Sequence, residues 1–326
     1  MTERENFQLL LAGKQPEWVP YYRDAVQWIV PSYVSAHMAT EKKIDMFGVK
    51  WTVNDAGAIA DTRIHVMKDV SEWREHVHLP DIDLLDWEAM AAEDLKDADR
   101  ENKLICVLVQ QSMSSCFFLP LMDMMGFENG LCALFEDPEE VTAFFEYICR
   151  HIEKAIDYIV KHYKPDMLLM SDDFCSANGP MIAYSLYEEM LRPFYVRVIG
   201  KIKSYDLPLE FHMCGKGERF VEDFVSLGVN MWQPAQPLND LKMLKNKFGN
   251  RLVLNGTWYQ SSPAAQDGAP EELVRQSVRD CMDNYAEGGG FCFWDGDPMG
   301  QSDDVKQKFA WLADEARTYG RSFYHK

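Results

Sequence analysis

The sequence predicts an α/β protein, a (β/α)8 TIM barrel with an N-terminal extension. From about residue 104 onwards, short apolar segments alternate with longer amphipathic ones, which is the pattern of parallel strands joined by helical crossovers. No glycine-rich dinucleotide-binding fingerprint follows any predicted strand, and this favours a closed barrel over an open sheet. We expect residues 1–326 to form a single domain, because barrels of roughly 250 residues and more are commonly one domain.

Six segments have the length and composition of buried strands. Each is short and apolar and ends in polar residues, glycine or proline, as parallel strands do. The predicted strands are LICVLVQQ (104–111), MLLMSDD (167–173), LPLEFHMCG (207–215), GVNMWQP (228–234), RLVLNGTW (251–258) and GGFCFWDGD (289–297).

Five amphipathic segments have the features of the connecting helices. Their first residues include Asp-Pro, Ser, Asn or Pro-Glu, and two of them end at Gly, which are common residues at helix ends. The predicted helices span 137–163, 185–205, 218–228, 239–249 and 270–289.

Residues 1–103 are less regular than the rest of the chain. They contain a helix near 4–12, aromatic-rich loops, the stretch DMFGVKW (45–51) and an acidic segment at 81–102. We expect them to form an extension over the barrel and not a separate domain.

Composition excludes several classes of partner and location. The formal charge of −19 comes without a basic stripe, which argues against nucleic-acid binding. No segment approaches ~18 uninterrupted apolar residues, so no membrane span is expected. The first residues lack the basic and apolar regions of a signal peptide, and we expect a cytoplasmic protein. Its eight cysteines are irregularly spaced and are predicted to be free thiols.

The segment LEFHMCG carries the clearest chemical signal. Active sites of such barrels form at the carboxyl ends of the strands, and alternation along a strand points Glu210, His212 and Cys214 the same way. We expect that way to be inward, with Phe211 and Met213 facing the helices. One imidazole nitrogen and one thiolate favour zinc. The alternative is a core histidine beside a buried cysteine.

A third ligand is expected from the last strand. Asp297 follows the strand end at the level of Cys214, whereas Cys292 has the softer side chain but lies early in the strand. Both remain candidates. Further reserves are Asp295, Cys175 and Glu210.

Polar and aromatic residues at the same rim are candidates for catalysis and substrate binding. Asp172 and Asp173 end a strand, where a carboxylate could act on substrate or orient a ligating histidine, or else cap a helix. Of Gln110 and Gln111, at least one is expected to have a structural role. A pocket could be lined by Gln110, Met113, Phe117, Phe118, Met170, Trp232, Trp258, Tyr259 and Trp294, although each alone could equally belong to the core.

Nearly the whole chain resembles the uroporphyrinogen decarboxylase-like superfamily, and within it the cobalamin-dependent methyltransferases. The resemblance is carried, in order, by TERENFQLLLAGKQPEWVP, DMFGVKW, the DPEEV helix start, SDDFCSANGPMIAYSLYEEMLRPFY, HMCG, GVNMWQP, GNRLVLNGTW, GAPEELV and GGGFCFWDGD. It implies a (β/α)8 barrel. The decarboxylases use no metal and have an arginine-rich substrate motif near the N-terminus. The corresponding stretch of this chain, EWVPYYRDAVQW, has only Arg23.

The methyltransferase branch implies a zinc site. Its members hold zinc through a His-x-Cys pair, matched by His212 and Cys214, and a later Cys in a Gly-Cys step. That step falls on Gly296-Asp297 here, so either Asp297 or Cys292 would take the place of the third thiolate.

The resemblance further implies transfer of a methyl group from a small methylated substrate, such as an aryl methyl ether, to cob(I)alamin. No cobalamin-binding Asp-x-His-x-x-Gly motif occurs in the chain, so the cobalamin would arrive on a separate corrinoid protein. A thiol methyltransferase of the coenzyme M type, a metal-free tetrapyrrole decarboxylase and a non-catalytic scaffold are the alternatives. A homodimer is one alternative for the oligomeric state.

Overall fold

Seven parallel strands form the main sheet of the computed structural model, which describes residues 1–54, 57–61, 63–113, 115–298 and 300–325. The strands are β1 (Val26–Ile29), β2 (Trp51–Asn54), β3 (Gly57–Ala60), β4 (Leu104–Leu108), β5 (Met167–Ser171), β6 (Cys175–Ser176), β7 (Gly179–Pro180), β8 (Leu209–His212), β9 (Met231–Ala235), β10 (Val253–Thr257) and β11 (Phe291–Trp294). The main sheet has the order β1-β4-β5-β8-β9-β10-β11, and β2-β3 and β6-β7 are antiparallel hairpins.

Helices alternate with these strands, as the sequence pattern predicts. All five predicted helices are present, and the one predicted at 185–205 is divided by a π-helical turn at Tyr187–Leu191. The α-helices are α1 (Glu3–Leu11), α2 (Tyr22–Ala25), α3 (Ser32–Ser35), α4 (Trp73–His76), α5 (Trp87–Asp94), α6 (Phe118–Met125), α7 (Phe127–Glu136), α8 (Pro138–Tyr163), α9 (Tyr184–Leu186), α10 (Arg192–Lys203), α11 (Glu218–Leu227), α12 (Leu241–Phe248), α13 (Glu271–Tyr285) and α14 (Asp303–Ser322). Across the described ranges, none of the helices has the length and apolar character needed to cross a membrane.

Side chains from the main strands divide between two buried clusters. The larger one contains Phe211 and Met213, and the Phe211 ring stacks on Phe224 of α11 with centroids 3.9 Å apart. The smaller cluster gathers inward-facing residues of the sheet, among them Leu169 and Cys292. The predicted alternation along β8, with Phe211 and Met213 towards the helices, is therefore confirmed.

The predicted closure by an eighth strand is not confirmed. Among the described residues, β1 and β11 are the two ends of the sheet and form no ladder with each other. The backbone pairing at this place is a parallel bridge from Tyr21, just before α2, to Phe293, and the Trp28 ring of β1 packs on Trp294 of β11 with centroids 6.1 Å apart. The Phe293 amide donates to the Pro20 carbonyl at 2.9 Å. Directly after this bridge the chain turns into α2, and a helical turn removes the extended backbone that a longer ladder requires.

Side chains reinforce this seam between β1 and β11. The buried carboxylate of Asp295 accepts hydrogen bonds from Tyr21 Oη and Arg23 Nε, both at 2.7 Å. Arg23 also donates to the Gly296 carbonyl. Burial raises the pKa of Asp295, and the charge of Arg23 opposes that shift. The positive charge of Arg23 therefore offsets the cost of burying the Asp295 carboxylate away from water.

We expect Arg23→Ala to lower the free energy of unfolding by about 2 kcal/mol, less than the ~3–5 kcal/mol of a fully buried pair, since the Arg23 side chain is 37% exposed. Urea unfolding would measure the loss. Arg150→Ala is the control, because Arg150 is 74% exposed in its ion pair with Glu146 and such pairs contribute ~0–1 kcal/mol. Equal losses in the two variants would contradict the role given to Arg23.

Candidate metal centre

Three potential metal ligands meet where β5 and β8 end. In the parallel register Ser171 lies opposite His212, so the residues just beyond each position are neighbours. His212 Nε2 lies 3.4 Å from Cys214 Sγ and 3.8 Å from Asp173 Oδ2. One ligand atom from each of these residues lies within 4.8 Å of the other two, close enough for a single ion to contact all three.

Backbone contacts hold Cys214 in this position. Its amide donates to Asp173 Oδ1 at 2.5 Å, which links the two ligands directly. The next residue, Gly215, has φ +91° and lies against the backbone of Cys175 and Ser176, where a Cβ atom would approach to 2.7 Å. Only glycine suits both the positive φ and this close approach. The turn after β8 therefore depends on Gly215.

Gln233 of β9 orients the imidazole. Its Oε1 lies 2.7 Å from His212 Nδ1, and because a carbonyl oxygen only accepts, Nδ1 must carry the proton. Nε2, which faces Cys214 and Asp173, is then free to ligate. A partner that fixes the tautomer in this way is characteristic of ligating histidines.

Negative charge accumulates around His212. Burial lowers the pKa of the imidazole, but Cys214 and Asp173 together with the Gln233 hydrogen bond more than offset it and raise the pKa to about 10. The surroundings of Nε2 thus favour a positive charge, whether it is a proton or a metal cation.

The two predicted third ligands from the last strand lie elsewhere. The Asp297 side chain is 69% exposed and lies 3.5 Å from the Arg23 guanidinium. Cys292 is buried in the inner cluster, with Sγ 3.4 Å from the Pro20 carbonyl. Within the described ranges, the structure brings Asp173, and neither Asp297 nor Cys292, together with His212 and Cys214.

The reserve ligands also have other partners. Glu210 is fully buried below His212, where Asn255 Nδ2 donates to Oε1 at 2.9 Å and the Tyr22 hydroxyl donates to Oε2. Burial raises the pKa of Glu210 to about 7 against these two hydrogen bonds. Asp295 is paired with Arg23, and Cys175 Sγ lies 4.0 Å from Met213 Sδ.

Asp172 anchors a helix. Its Oδ2 accepts from the amides of Phe117 and Phe118, both at 2.9 Å, and from Tyr195 Oη at 2.6 Å. Its Oδ1 accepts from the Leu119 amide at 3.3 Å. Burial raises its pKa to about 6 although these bonds favour the anion. The structure therefore places the predicted catalytic Asp172 at the start of α6, where it serves as a cap.

A cavity of about 190 Å³ adjoins His212. Of the predicted pocket residues, Gln110 and Met113 line it, and so does Asp297 at its rim. Trp28 also lines it and was not among the predicted pocket residues, although its place in an aromatic-rich N-terminal segment was a signal for it. The other lining residues are Ile29, Val30, Cys106, Leu108, Leu169 and Ser171.

The remaining predicted pocket residues lie away from this cavity. Phe117, Phe118, Met170 and Trp232 are buried in the cluster between sheet and helices. Trp258 lines a second cavity next to Phe309 of α14, and Tyr259 is partly buried. Trp294 lines a third cavity at the seam, which shares Trp28 and Asp297 with the cavity next to His212.

Comparisons with known proteins bear on both fold and family. A family model described as "Uroporphyrinogen decarboxylase (URO-D)" matches residues 112–296, which is more than half of the chain. No curated protein sequence matches the chain. A solved structure titled "methyltransferase from Methanosarcina mazei" is similar with a TM-score of 0.63 and 11% sequence identity, over 96% of this chain and 99% of that chain. At this identity the likeness shows a shared fold.

We expect Asp172→Ala to lower the free energy of unfolding by about 3 kcal/mol, because three backbone amides and the Tyr195 hydroxyl lose their acceptor. Chemical unfolding would measure this loss. The neighbouring Asp173→Ala is the matched control and should be far less destabilised, since Asp173 is only partly buried. An Asp172→Ala protein that is fully stable but inactive would instead support the predicted catalytic role.

Proposed function

Since the chain belongs to the uroporphyrinogen decarboxylase family, we propose that it is a zinc-dependent methyltransferase. It would move a methyl group from a small aryl methyl ether to cob(I)alamin on a separate corrinoid protein. The observation that carries the proposal is the convergence of Asp173, His212 and Cys214 beside a cavity. The fold shared with a protein titled a methyltransferase supports it.

The chemistry of the donor set fits zinc. One nitrogen, one sulfur and one carboxylate oxygen are zinc ligands, and three protein ligands leave a coordination position for substrate. The Gln233 contact supplies the outer hydrogen bond that ligating histidines usually have. We therefore propose Asp173 as the third ligand in place of Asp297 or Cys292, so that its carboxylate serves the metal and not proton transfer.

Asp173, His212 and Cys214 would hold the zinc, which would supply Lewis-acid chemistry at the ether oxygen and so favour departure of the phenolate. The chain itself contributes position. Leu108, Leu169 and Met113 offer apolar contacts for an aromatic ring next to His212. Gln233 fixes the His212 tautomer, so Nε2, which lies against Cys214 and Asp173, would carry no proton when metal is bound.

The decarboxylase alternative has less support from the N-terminal segment. Arg23 is the one arginine of the stretch EWVPYYRDAVQW, and its guanidinium is engaged by Asp295, Gly296 and Asp297. A guanidinium in these contacts joins the two ends of the sheet and is not free to bind substrate carboxylates.

We expect purified protein to contain about one zinc ion per chain by elemental analysis. Cys214→Ala and Asp173→Ala should lose most of it because each removes a ligand, whereas Gln233→Leu should weaken zinc binding about 10–100-fold through the histidine. Asp297→Ala and Cys292→Ala are the controls and should retain zinc. Loss in Asp297→Ala with retention in Asp173→Ala would reverse the ligand assignment, and a metal-free parent protein would refute the zinc proposal.

We expect zinc-loaded protein to convert cob(I)alamin to methylcobalamin when a methoxyarene is supplied anaerobically, followed by the change in the visible spectrum. Cys214→Ala should react at the uncatalysed rate. Methyl transfer from methylcobalamin to a thiol, without reaction of any ether, would favour the thiol methyltransferase instead. Decarboxylation of a tetrapyrrole by metal-free protein would favour the decarboxylase.

A further inference from the structure

The cavity beside His212 has the size of a single ring. Its volume of about 190 Å³ is somewhat larger than the ~150 Å³ of an engineered apolar cavity that binds benzene. Most of its wall is apolar, including Leu108, Met113 and Leu169. An arene with one or two small substituents would fill it.

Gln110 is one of the few polar groups in this wall, and its amide has a fixed orientation. The Ser171 amide donates to Gln110 Oε1 at 2.8 Å, and Ser171 Oγ donates to the same oxygen at 3.0 Å. Because a backbone N–H only donates, the atom facing it must be the carbonyl oxygen. The Nε2 group is then directed away from Ser171.

The Nε2 group needs an acceptor. Among the residues that the structure describes, none accepts a hydrogen bond from it, although Gln110 is only 1% exposed. A ligand that fills the cavity with carbon alone would leave these N–H donors without water and without a partner, which weakens binding. A ligand oxygen at that place would satisfy them.

The position of Gln110 places this oxygen away from the metal site. Gln110 follows β4 and His212 ends β8, and β5 lies between them. Two strand spacings are about 10 Å, so side chains that reach inward from both strands would contact opposite sides of one ring.

We propose that Gln110 selects monocyclic aryl methyl ethers that carry a second oxygen, able to accept a hydrogen bond, across the ring from the methoxy group. This inference rests on the proposed function, since it takes the ether to be the group near His212. Ser171 is a positioning residue that holds the Gln110 amide.

The test compares two ligands of similar size by isothermal titration calorimetry with zinc-loaded protein. The aldehyde oxygen of 4-methoxybenzaldehyde accepts a hydrogen bond, whereas 4-methylanisole offers only its ether. We expect the aldehyde to bind the parent protein about tenfold more tightly. Gln110→Met should abolish this preference, and Ser171→Ala should reduce it while zinc content stays unchanged.

Gln111→Leu is the matched control. Gln111 is also 1% exposed, but its Nε2 donates to the Val109 carbonyl at 3.1 Å and it does not line the cavity. This variant should keep the tenfold preference. Equal binding of the two ligands by the parent, or an unchanged preference in folded Gln110→Met, would overturn the inference.

Methyl transfer separates this inference from the proposal on which it rests. If the aldehyde preference depends on Gln110 but neither ligand donates its methyl group, the catalytic proposal fails and the selection by Gln110 stands. If both ethers are demethylated with the same kcat/KM and bind equally, the catalytic proposal stands and the role of Gln110 is refuted.

Discussion

The stacking of Phe211 on Phe224 determines which side of β8 faces the helices and which faces the inner side of the sheet. Side chains alternate along a strand, so a shift by one residue would exchange its two faces completely. With Phe211 packed against α11, the flanking Glu210 and His212 must turn inward. The neighbouring strands have the same orientation because of the parallel register: Met170, Phe211 and Trp232 are paired in one row, and all three face the helices.

Two adjacent carboxylates have opposite surroundings as a result. Asp172 lies on the buried side of the β5 terminus, and its oxygens are used by the amides that begin α6 and by Tyr195. Asp173 lies one residue further on, half-buried, and faces Cys214 and His212. Asp172 therefore fixes the backbone at the start of α6, whereas the carboxylate of Asp173 is placed where it could contact a cation.

The sequence was sufficient to predict the alternation of strands and helices and the His212–Cys214 pair, because both depend on local periodicity. It was not sufficient to identify Asp173 as their neighbour. That choice depends on the order of strands, in which β5 lies directly beside β8 whereas β11 is three strands away. Met170 and Trp232 were predicted to line a pocket because they are large and apolar near strand ends, but their row in the register faces the helices. Strand β1 was missed because it is only four residues long and directly follows a helical turn.

The weak junction between β1 and β11 makes the resistance of the main sheet to local opening uneven. Elsewhere in the main sheet, adjacent strands are joined along a ladder, whereas here one backbone bridge and side-chain contacts of Asp295, Arg23 and Trp28 join the two ends. Regions with few hydrogen bonds open at a lower free energy than the body of a fold. Local opening would therefore concentrate at the two ends of the sheet, beside Trp28 and Trp294, while the ladder between β5 and β8 in the middle of the sheet keeps Asp173 and His212 at constant spacing. A sheet joined in this way would open first at its ends, without disturbing the side chains at the ends of its central strands.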